Sequence, residues 1–345
     1  MKKILVTGGA GYIGSHTVVA LLQAGFDVCV IDNLCNSKVE VIDRIHKITG
    51  KHVHFVKGDI RDRSFLKSIF QDHQIDSVIH FAGLKAVGES EREPLKYFDN
   101  NVSGSICLFE EMAHAGIKNI VFSSSATVYG DPGVTKYTED LPTAPINVYG
   151  QTKLFVEKIL LDLKKSDPTW RIALLRYFNP VGAHSSGLIG EDPAGIPNNL
   201  MPFVAQVAIG KLEKLRVFGN NYPTPDGTGL RDYIHVEDLA AGHLNALNKL
   251  WVSDDVITVN LGTGRAYSVL EMIKAFELAS GKSIPYEIVD RRSGDLAEYY
   301  ADPEKAKIQL GWVAKHDILR MCEDTWRWQQ NELSIAQVSP KTLKN

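Results

Sequence analysis

The chain has 345 residues and few of the features that mark particular classes of protein, such as paired cysteines, basic runs and long apolar segments. Its four cysteines, Cys29, Cys35, Cys107 and Cys322, lack Cys-x-x-Cys spacing, which favours neither a zinc site nor a disulfide framework. The formal net charge of −3 comes without a basic run, so it provides no electrostatic footprint for nucleic acid or an anionic membrane. No apolar stretch is long enough to span a bilayer. We expect reduced thiols, a cytoplasmic location, and no metal, nucleic-acid or membrane partner.

Hydrophobic residues make up 44% of the chain and charged residues 23%, so the chain can bury a large core. In the first half, helical patterns alternate with short β-branched runs at residues 53–56, 77–81, 119–122 and 171–176. This alternation is typical of βαβ units and predicts a doubly wound parallel sheet, with ligand chemistry at the carboxyl ends of the strands. Polar or small residues follow those ends, namely Asp59, Ala82 with Gly83, Ser123 to Ser125, and Tyr177 to Asn179.

A glycine-rich segment follows the first apolar run. Gly8, Gly11 and Gly14 have the spacing that lets a chain turn sharply after a strand and bring backbone N–H groups against a pyrophosphate. Residues 16–22 then read as a helix whose positive end faces the phosphates. The next strand, residues 26–31, ends in Asp32, whose carboxylate suits ribose hydroxyls and repels a 2′-phosphate. In this order the features predict bound NAD rather than NADP, whereas glycines alone would indicate only a tight turn.

The character of the chain changes beyond Asn179, where loop-rich segments and dispersed helices follow. Residues 256–262 again read as a buried strand, so the second part of the chain is expected to return to the main sheet. We predict an α/β fold with two domains. Residues 1–180 form a Rossmann NAD-binding domain, with a return near residues 234–263, and residues 181–345 form mainly a smaller α/β substrate-binding lobe.

Tyr149 and Lys153 are four residues apart at the start of a predicted helix, so their side chains share one face. A free tyrosine has a pKa of about 10. The Lys153 ammonium and a positive nicotinamide ring would both favour the phenolate and lower that pKa. Ser125, the last of three serines at a strand end, could hydrogen-bond the reacting oxygen. Alternatively, the Tyr-Lys pair lies on an ordinary amphipathic helix and the serines satisfy backbone groups.

Ser, Tyr and Lys beside a glycine-rich NAD motif resemble the extended short-chain dehydrogenase/reductase superfamily. Longer motifs narrow the resemblance to the UDP-glucose 4-epimerase family, and they lie at residues 32–37, 80–90, 123–130, 175–183, 197–202, 229–236 and 291–296. The similarity extends from Lys3 to about Trp328, while the tail, residues 329–345, carries nothing that can be matched.

The resemblance implies reversible epimerisation at C4 of UDP-glucose and UDP-galactose in galactose metabolism, through a 4-keto intermediate and tightly retained NAD. Tyr149 would be the base, Ser125 would hydrogen-bond the same oxygen, and Lys153 would hold the nicotinamide ribose and depress the pKa of Tyr149. The implied cofactor contacts are Gly8, Gly11, Tyr12, Ile13, Gly14, Asp32, Asn33, Asn36, Ser37, Asp59, Ile60, Phe81, Ala82, Gly83, Lys85, Asn100, Ser125, Tyr149, Lys153 and Phe178. The implied nucleotide-sugar contacts are Ser125, Tyr149, Asn179, Asn199, Leu200, Phe218, Arg231, Arg292, Asp295 and Tyr299.

Several of these residues also have plainer interpretations. Arg231 beside Asp232 could be a surface ion pair, and Asp59 and Asp295 could be helix or turn caps. The family forms a homodimer through paired helices, which the apolar residues Ile106, Leu108, Phe109, Leu154, Ile159 and Leu160 permit, although the same residues could cover the sheet.

Two rival functions use the same fold. The nucleotide-sugar 4,6-dehydratases and UDP-glucuronate decarboxylases share the substrate class, but a dehydratase places an acidic pair beside its catalytic threonine. This chain has Ala126 and Thr127 there, with no acid. A non-enzymatic NAD-binding regulator would not need Tyr149 and Lys153. Tyr299 is similar to a family position beside the sugar 2-substituent, and it implies discrimination against N-acetylated sugars.

Overall fold

The structure is a computed structural model that describes residues 1–193, 197, 199–292 and 294–338. Its strands are β1 (Lys3–Thr7), β2 (Asp27–Asp32), β3 (His54–Lys57), β4 (Ser77–His80), β5 (Asn119–Ser125), β6 (Lys136–Tyr137), β7 (Arg171–Tyr177), β8 (Asn179–Val181), β9 (Leu215–Phe218), β10 (Leu230–His235), β11 (Ile257–Leu261), β12 (Ala266–Ser268), β13 (Tyr286–Val289) and β14 (Glu298–Ala301).

Helices connect most of these strands. They are α1 (Tyr12–Gln23), α2 (Glu40–Thr49), α3 (Arg63–Asp72), α4 (Val87–Arg92), α5 (Pro94–Tyr97), α6 (Gly104–His114), α7 (Val148–Ser166), α8 (Leu200–Ala208), α9 (Val236–Leu250), α10 (Val269–Ser280), α11 (Glu304–Leu310) and α12 (Ile318–Val338). A π-helical segment, Phe98–Ser103, precedes α6, and a 3-10 turn, Ala126–Tyr129, follows β5. In the described residues, no helix combines the length and the apolar character needed to cross a membrane.

Seven parallel strands form the main sheet in the order β11-β7-β5-β4-β1-β2-β3. The inner strands are buried along nearly their whole length, as expected when helices cover both faces of a parallel sheet. The predicted α/β class with a Rossmann-type parallel sheet is therefore confirmed. Strand β11 forms one edge of this sheet by pairing with β7, while the division into two domains near residue 180 stays a prediction.

Alternate side chains of β1 enter two different cores. Ile4 and Val6 pack with apolar residues of α1 and α9 on one face, and Leu5 packs with residues of α3, α6 and α7 on the other. This follows from the period of two along a strand. The sheet is thus fixed between two helical layers, and its carboxyl edge is held rigidly.

A second, five-stranded sheet contains β12, β10, β14 and β6 in that order, with β8 paired to β10. Two more strands, β9 and β13, form a separate parallel pair. A third core, which includes Val204, Phe276 and Met321, joins α8, α10 and α12. Strand β6 comes from the first half of the chain but pairs with β14, so residues on both sides of position 180 build this sheet.

Two local predictions differ from the structure. The serine run lies within β5 rather than after it, because Ser123 to Ser125 continue the ladder with β7. Helix α1 begins at Tyr12, inside the glycine segment, and not at residue 16. Gly11 is its N-cap and has no side chain that could accept a hydrogen bond from the helix. The backbone N–H groups at this helix end are therefore available to stabilise an anion.

Two glycines in the turn are required by close backbone approach. A Cβ on Gly14 would lie 2.3 Å from the Gly8 carbonyl oxygen and 2.9 Å from the Gly9 Cα. Gly8 has a φ of +70°, and a Cβ there would lie 2.7 Å from the Ala82 backbone nitrogen. The glycines therefore allow the first turn of α1 to pack directly on the backbone that leaves β1.

We expect Gly14→Ala to lower the free energy of unfolding by about 2–3 kcal/mol, because the added methyl group meets backbone rather than a flexible side chain. Denaturant unfolding followed by circular dichroism measures the loss. Gly88→Ala is the matched control, since Gly88 is also helical but its nearest new contact would be the end of the Arg92 side chain at 3.8 Å. Equal unfolding midpoints for the two variants would contradict the packing argument.

Candidate active site

A cleft opens at the carboxyl edge of the main sheet and spans about 1450 Å³ including its mouth. The glycine turn, the loop after β2, the ends of β4 and β5, and the face of α7 all contribute to its lining. Ligands of doubly wound folds bind at this edge, outside the carboxyl ends of the strands. The cleft is therefore the main candidate site in the described part of the chain.

Asp32, at the end of β2, connects the glycine turn to the following loop. One carboxylate oxygen accepts a hydrogen bond from the Ala10 N–H at 3.1 Å. The other accepts from the Leu34 N–H at 2.9 Å and from the Ser37 hydroxyl at 2.8 Å. The carboxylate is 9% exposed and stands at the cleft beside the N-terminus of α1. A helix N-terminus for phosphates next to a fixed carboxylate for ribose hydroxyls fits the chemistry of NAD.

Most of the predicted cofactor residues line this one cleft. They are Gly8, Gly11, Tyr12, Ile13, Gly14, Asp32, Asn33, Asn36, Ser37, Ile60, Phe81, Ala82, Gly83, Lys85, Asn100, Tyr149 and Lys153. Three predicted residues are not among the lining: Asp59, Ser125 and Phe178.

The structure gives each of these three residues another contact. Asp59 accepts a hydrogen bond from the Asn33 amide at 3.0 Å and binds the Arg61 guanidinium and backbone, which hold the pKa of Asp59 well below its usual range. Its interpretation as a turn cap is thus correct locally, and it contacts Asn33, which lines the cleft. Phe178 packs near Tyr137 and Tyr299. The Ser125 hydroxyl accepts hydrogen bonds from the backbone and side chain of Thr127.

Tyr149 and Lys153 lie on the first turns of α7, which Asn147 caps by accepting a hydrogen bond from the Gly150 N–H at 2.8 Å. The Lys153 ammonium is 5.9 Å from the centre of the Tyr149 ring. It donates a hydrogen bond to the Ser123 carbonyl oxygen at 2.7 Å. The helix and the end of β5 are thereby connected through a buried charge at the wall of the cleft.

The pKa of Tyr149 is governed mainly by burial in the protein itself. Burial raises it to about 12, and only the hydrogen bond with the Ser125 side chain lowers it. Burial also lowers the pKa of Lys153 to about 8, although the nearby Glu157 carboxylate raises it. In the protein alone, desolvation thus outweighs any lowering of the tyrosine pKa by the ammonium. The sequence-based expectation also included the charge of a nicotinamide ring, which the protein alone does not contain.

Sequence reasoning missed a buried ion pair below these residues. Arg176 on β7 donates to both oxygens of Glu157 on α7, at 2.9 and 2.6 Å, and the side chains are 8% and 1% exposed. Ser124 also hydrogen-bonds Glu157. The available signal was that Glu157 follows Lys153 by four residues, on the same helical face.

Of the predicted nucleotide-sugar residues, Asn179, Arg231 and Tyr299 lie on the second sheet, whereas Phe218 ends β9 and Asn199 and Leu200 lie at the start of α8. The Arg231 guanidinium lies 4.6 Å from the centre of the Tyr299 ring and 3.5 Å from an Asp295 oxygen. Arg292 pairs with Asp295 at 2.8 Å and covers Phe218 at 4.9 Å. This cluster carries two guanidiniums and one carboxylate. Asn179 lies on β8, which pairs with the same strand as Tyr299.

The alternative pairing of Arg231 with Asp232 is wrong. Asp232 is fully buried and accepts hydrogen bonds from the backbone N–H groups of Thr263, Gly264 and Ala301. Strand alternation directs the two neighbouring side chains to opposite faces of β10. Arg231 is consequently left on the face of Tyr299 and Asp295.

Glu191 was also missed by sequence reasoning. Its carboxylate accepts hydrogen bonds from Lys85 at 2.9 Å and from Asn199, whose neighbour Leu200 begins α8, at 2.8 Å. Lys85 is a predicted cofactor residue and Asn199 a predicted nucleotide-sugar residue. One carboxylate therefore connects the two parts of the site. Residue 198, within the predicted segment 197–202, and residues 194–196 just before that segment lie outside the described residues.

Comparison with known proteins agrees with this arrangement. A family model described as GDP-mannose 4,6 dehydratase matches residues 5–325, so the chain belongs to that broad family. The UDP-glucose 4-epimerase of Neisseria meningitidis serogroup B is 61% identical over 335 residues, which cover 96% of this chain and 98% of that protein.

Two crystal structures are similar over almost the whole chain. One is UDP-glucose 4-epimerase from Stenotrophomonas maltophila with bound NAD and formylated UDP-arabinopyranose, with a TM-score of 0.94, 52% identity, and coverage of 98% of this chain and 100% of that one. The other is the Bifidobacterium longum enzyme in complex with NAD+ and UDP, with a TM-score of 0.93, 51% identity, and coverage of 96% and 99%. The chain is thus a member of the UDP-glucose 4-epimerase family, in the extended short-chain dehydrogenase/reductase superfamily.

Proposed function

We propose that the chain catalyses the reversible, NAD-dependent epimerisation of UDP-glucose and UDP-galactose at C4, through a 4-keto intermediate, in galactose metabolism. The observation that carries this proposal is that Tyr149 and Lys153 line the same cleft as the glycine turn and Asp32. A proton acceptor and a dinucleotide cradle in one cleft suit the oxidation of a sugar hydroxyl. The bound cofactor supplies the hydride acceptor and donor.

Tyr149 takes the proton from the sugar O4 hydroxyl while hydride leaves C4, and it returns the proton when hydride comes back to the other face. Desolvation raises its pKa to about 12 in the protein alone, so it is mainly neutral at pH 7. The positive charge of oxidised NAD, together with Lys153, favours the phenolate when the cofactor is bound.

Lys153 and Ser125 position the reacting groups. The ammonium is held at the end of β5 by the Ser123 carbonyl, from where it holds the nicotinamide ribose. The Ser125 side chain lowers the pKa of Tyr149 and lies at the same strand end, so it shares the sugar O4 with the phenol. Neither Lys153 nor Ser125 has to change its charge to play these roles.

Arg231 and Arg292 provide the positive charge for the UDP pyrophosphate, since guanidiniums suit phosphate oxygens and a partly buried dianion needs compensation. Asp295 orients both guanidiniums and remains available for the nucleotide-sugar. Asn179, Asn199, Leu200 and Phe218 complete the proposed contacts.

The rival functions have less support. A 4,6-dehydratase or decarboxylase must do further chemistry beyond C4, and the 3-10 turn Ala126–Tyr129 after Ser125 carries no carboxylate. A non-enzymatic regulator would leave unexplained a buried lysine four residues from a half-buried tyrosine at the cleft wall. An enzyme that moves hydride only at C4 accounts for both features.

We also propose a cytoplasmic homodimer. The four cysteines, all in the described residues, are free thiols, which suits a reducing compartment. Of the apolar residues expected at the interface, Leu108, Phe109, Leu154 and Leu160 are buried in their own chain, and Ile106 and Ile159 are half-buried. Phe155 of α7 and Leu95 of α5 remain 43% and 83% exposed, and they are better candidates for contact with a second copy.

The first test of the function uses protein purified without added nucleotide. We expect it to release NAD on denaturation, and to convert UDP-galactose to UDP-glucose with no cofactor added, because the cycle consumes none. Chromatography identifies the released dinucleotide and a coupled assay measures the sugar. Recovery of NADP, or a requirement for a consumed cofactor, would indicate a net dehydrogenase instead.

Tyr149→Phe removes the proton acceptor and keeps the ring. We expect kcat to fall by about two to four orders of magnitude, with bound NAD unchanged. Tyr286→Phe is the matched control, because Tyr286 is 46% exposed on β13 and is not part of the cleft lining. Near-normal turnover of Tyr149→Phe would exclude this residue as the base.

Tyr299 determines substrate size in this proposal. Its ring stacks on Tyr137 at 5.6 Å and lies under the Arg231 guanidinium, so it cannot swing aside for an acetamido group without losing both contacts. We expect a strong preference for UDP-hexoses over UDP-N-acetylhexosamines, measured as kcat/KM, and Tyr299→Cys is expected to gain the second activity. Tyr300→Cys, on the opposite face of β14, is expected to gain none. Equal kcat/KM values for both substrate pairs in the unchanged protein would refute this role.

A further inference from the structure

Three residues with metal-binding side chains meet at the outer edge of the main sheet. Cys29 on β2 and His54 on β3 are direct partners in the parallel ladder, and His73 is the C-cap of α3. The sulfur and one ring nitrogen of each histidine lie within 4.8 Å of one another. These residues form what we call the edge cluster.

The chemistry of the edge cluster suits a borderline-soft divalent cation. Thiolate and imidazole are the ligands that zinc prefers, and three protein ligands with one water make a common open zinc site. In a tetrahedral site the ligand atoms lie about 3.3–3.6 Å apart, since Zn–S is about 2.3 Å and Zn–N about 2.0–2.1 Å. Side-chain rotations that move the ligand atoms by about 1 Å would therefore bring the edge cluster to this geometry.

The two imidazoles are available for a ligand. Their ring centres are 4.3 Å apart, and within the described residues neither ring has a hydrogen-bond partner. A second histidine pair, His46 and His52, has the same 4.3 Å separation, but His46 hydrogen-bonds the Lys51 carbonyl and no cysteine belongs to that pair. The edge cluster differs from this pair by its free ring nitrogens and by the sulfur below them.

Local charges are compatible with a cation. Lys3 on β1 is the nearby ammonium, and Asp27 pairs with it at 3.0 Å. Asp72 and Asp76 add two further carboxylates beside His73 and the start of β1. The surroundings therefore carry more negative than positive charge.

We propose that Cys29, His54 and His73 bind one Zn²⁺ ion, with water as the fourth ligand. Burial raises the pKa of the Cys29 thiol to about 12, so the thiol is protonated without metal, and binding at neutral pH must release that proton. The ion would join β2, the edge strand β3 and the end of α3. It would act as a clamp on the exposed sheet edge, away from the carboxyl end that carries the cleft.

The edge cluster also shows why cysteine spacing did not predict a site. The ligands are far apart in sequence and come together only through strand pairing and the path of α3. This inference does not depend on the proposed catalytic function, because none of the three residues lines the cleft.

The test uses the full chain as purified, treated with EDTA, and titrated with Co²⁺ and then Zn²⁺. We expect one Co²⁺ per chain, with a thiolate-to-cobalt charge-transfer band and tetrahedral d–d bands that Zn²⁺ abolishes. Cys29→Ser is expected to remove the charge-transfer band, and His54→Gln and His73→Gln to weaken zinc binding at least about 100-fold by calorimetry. Zinc is also expected to raise the thermal midpoint of the unchanged chain but not of these variants.

Two matched controls separate this site from surface binding. Cys35→Ser removes the exposed thiol, and His52→Gln removes one member of the other histidine pair. Both are expected to keep the cobalt spectrum and the zinc affinity. If Cys29→Ser does not fold, His54→Gln decides the matter, because His54 is exposed. Binding without a thiolate band, or binding that survives His54→Gln or depends on Cys35, would overturn the proposal.

Discussion

The buried ion pair between Glu157 and Arg176 is the interaction on which the geometry of the site depends. It joins α7 to β7 below the cleft, and Ser124 of the intervening strand β5 contacts the same carboxylate. Removing one partner of such a pair leaves an unpaired buried charge, at a typical cost of about 3–5 kcal/mol. Because the pair fixes the rotation of α7 about its axis, it also fixes the direction of Tyr149 and Lys153. The orientation of the catalytic face of α7 is therefore fixed by residues beneath the helix, which are not among the proposed ligand contacts.

Structural features that depend on a short stretch of sequence were predicted well. The glycine turn, Asp32 at the end of β2, and the four-residue spacing of Tyr149 and Lys153 depend only on local geometry, and the structure brings them to one cleft. Features that require distant residues were missed, namely the Glu157–Arg176 pair, the Glu191 bridge and the pairing of β6 with β14. The charge near Tyr149 could be read from the sequence, whereas the burial that raises its pKa in the protein alone could not.

Glu191 gives the two halves of the site a common anchor. In the protein alone it holds Lys85 and Asn199, each of which has a proposed ligand of its own. This one carboxylate therefore contacts a predicted residue from each half of the site.

Helix α12 contacts α2, which comes from the first part of the chain. Trp328 lines the cleft, and Glu332, which lies in the tail that resembled nothing in sequence, pairs with Arg44 of α2 at 2.6 Å. Residues 184–190 lie between α12 and α2. Gly190 packs so closely on α12 that a Cβ would lie 2.5 Å from the Trp328 ring. During synthesis on the ribosome, the sheet and the glycine turn emerge long before this helix. The cleft is thus completed only after Trp328 has been made, and a nascent chain that stalls before this residue would present an open, incomplete nucleotide site.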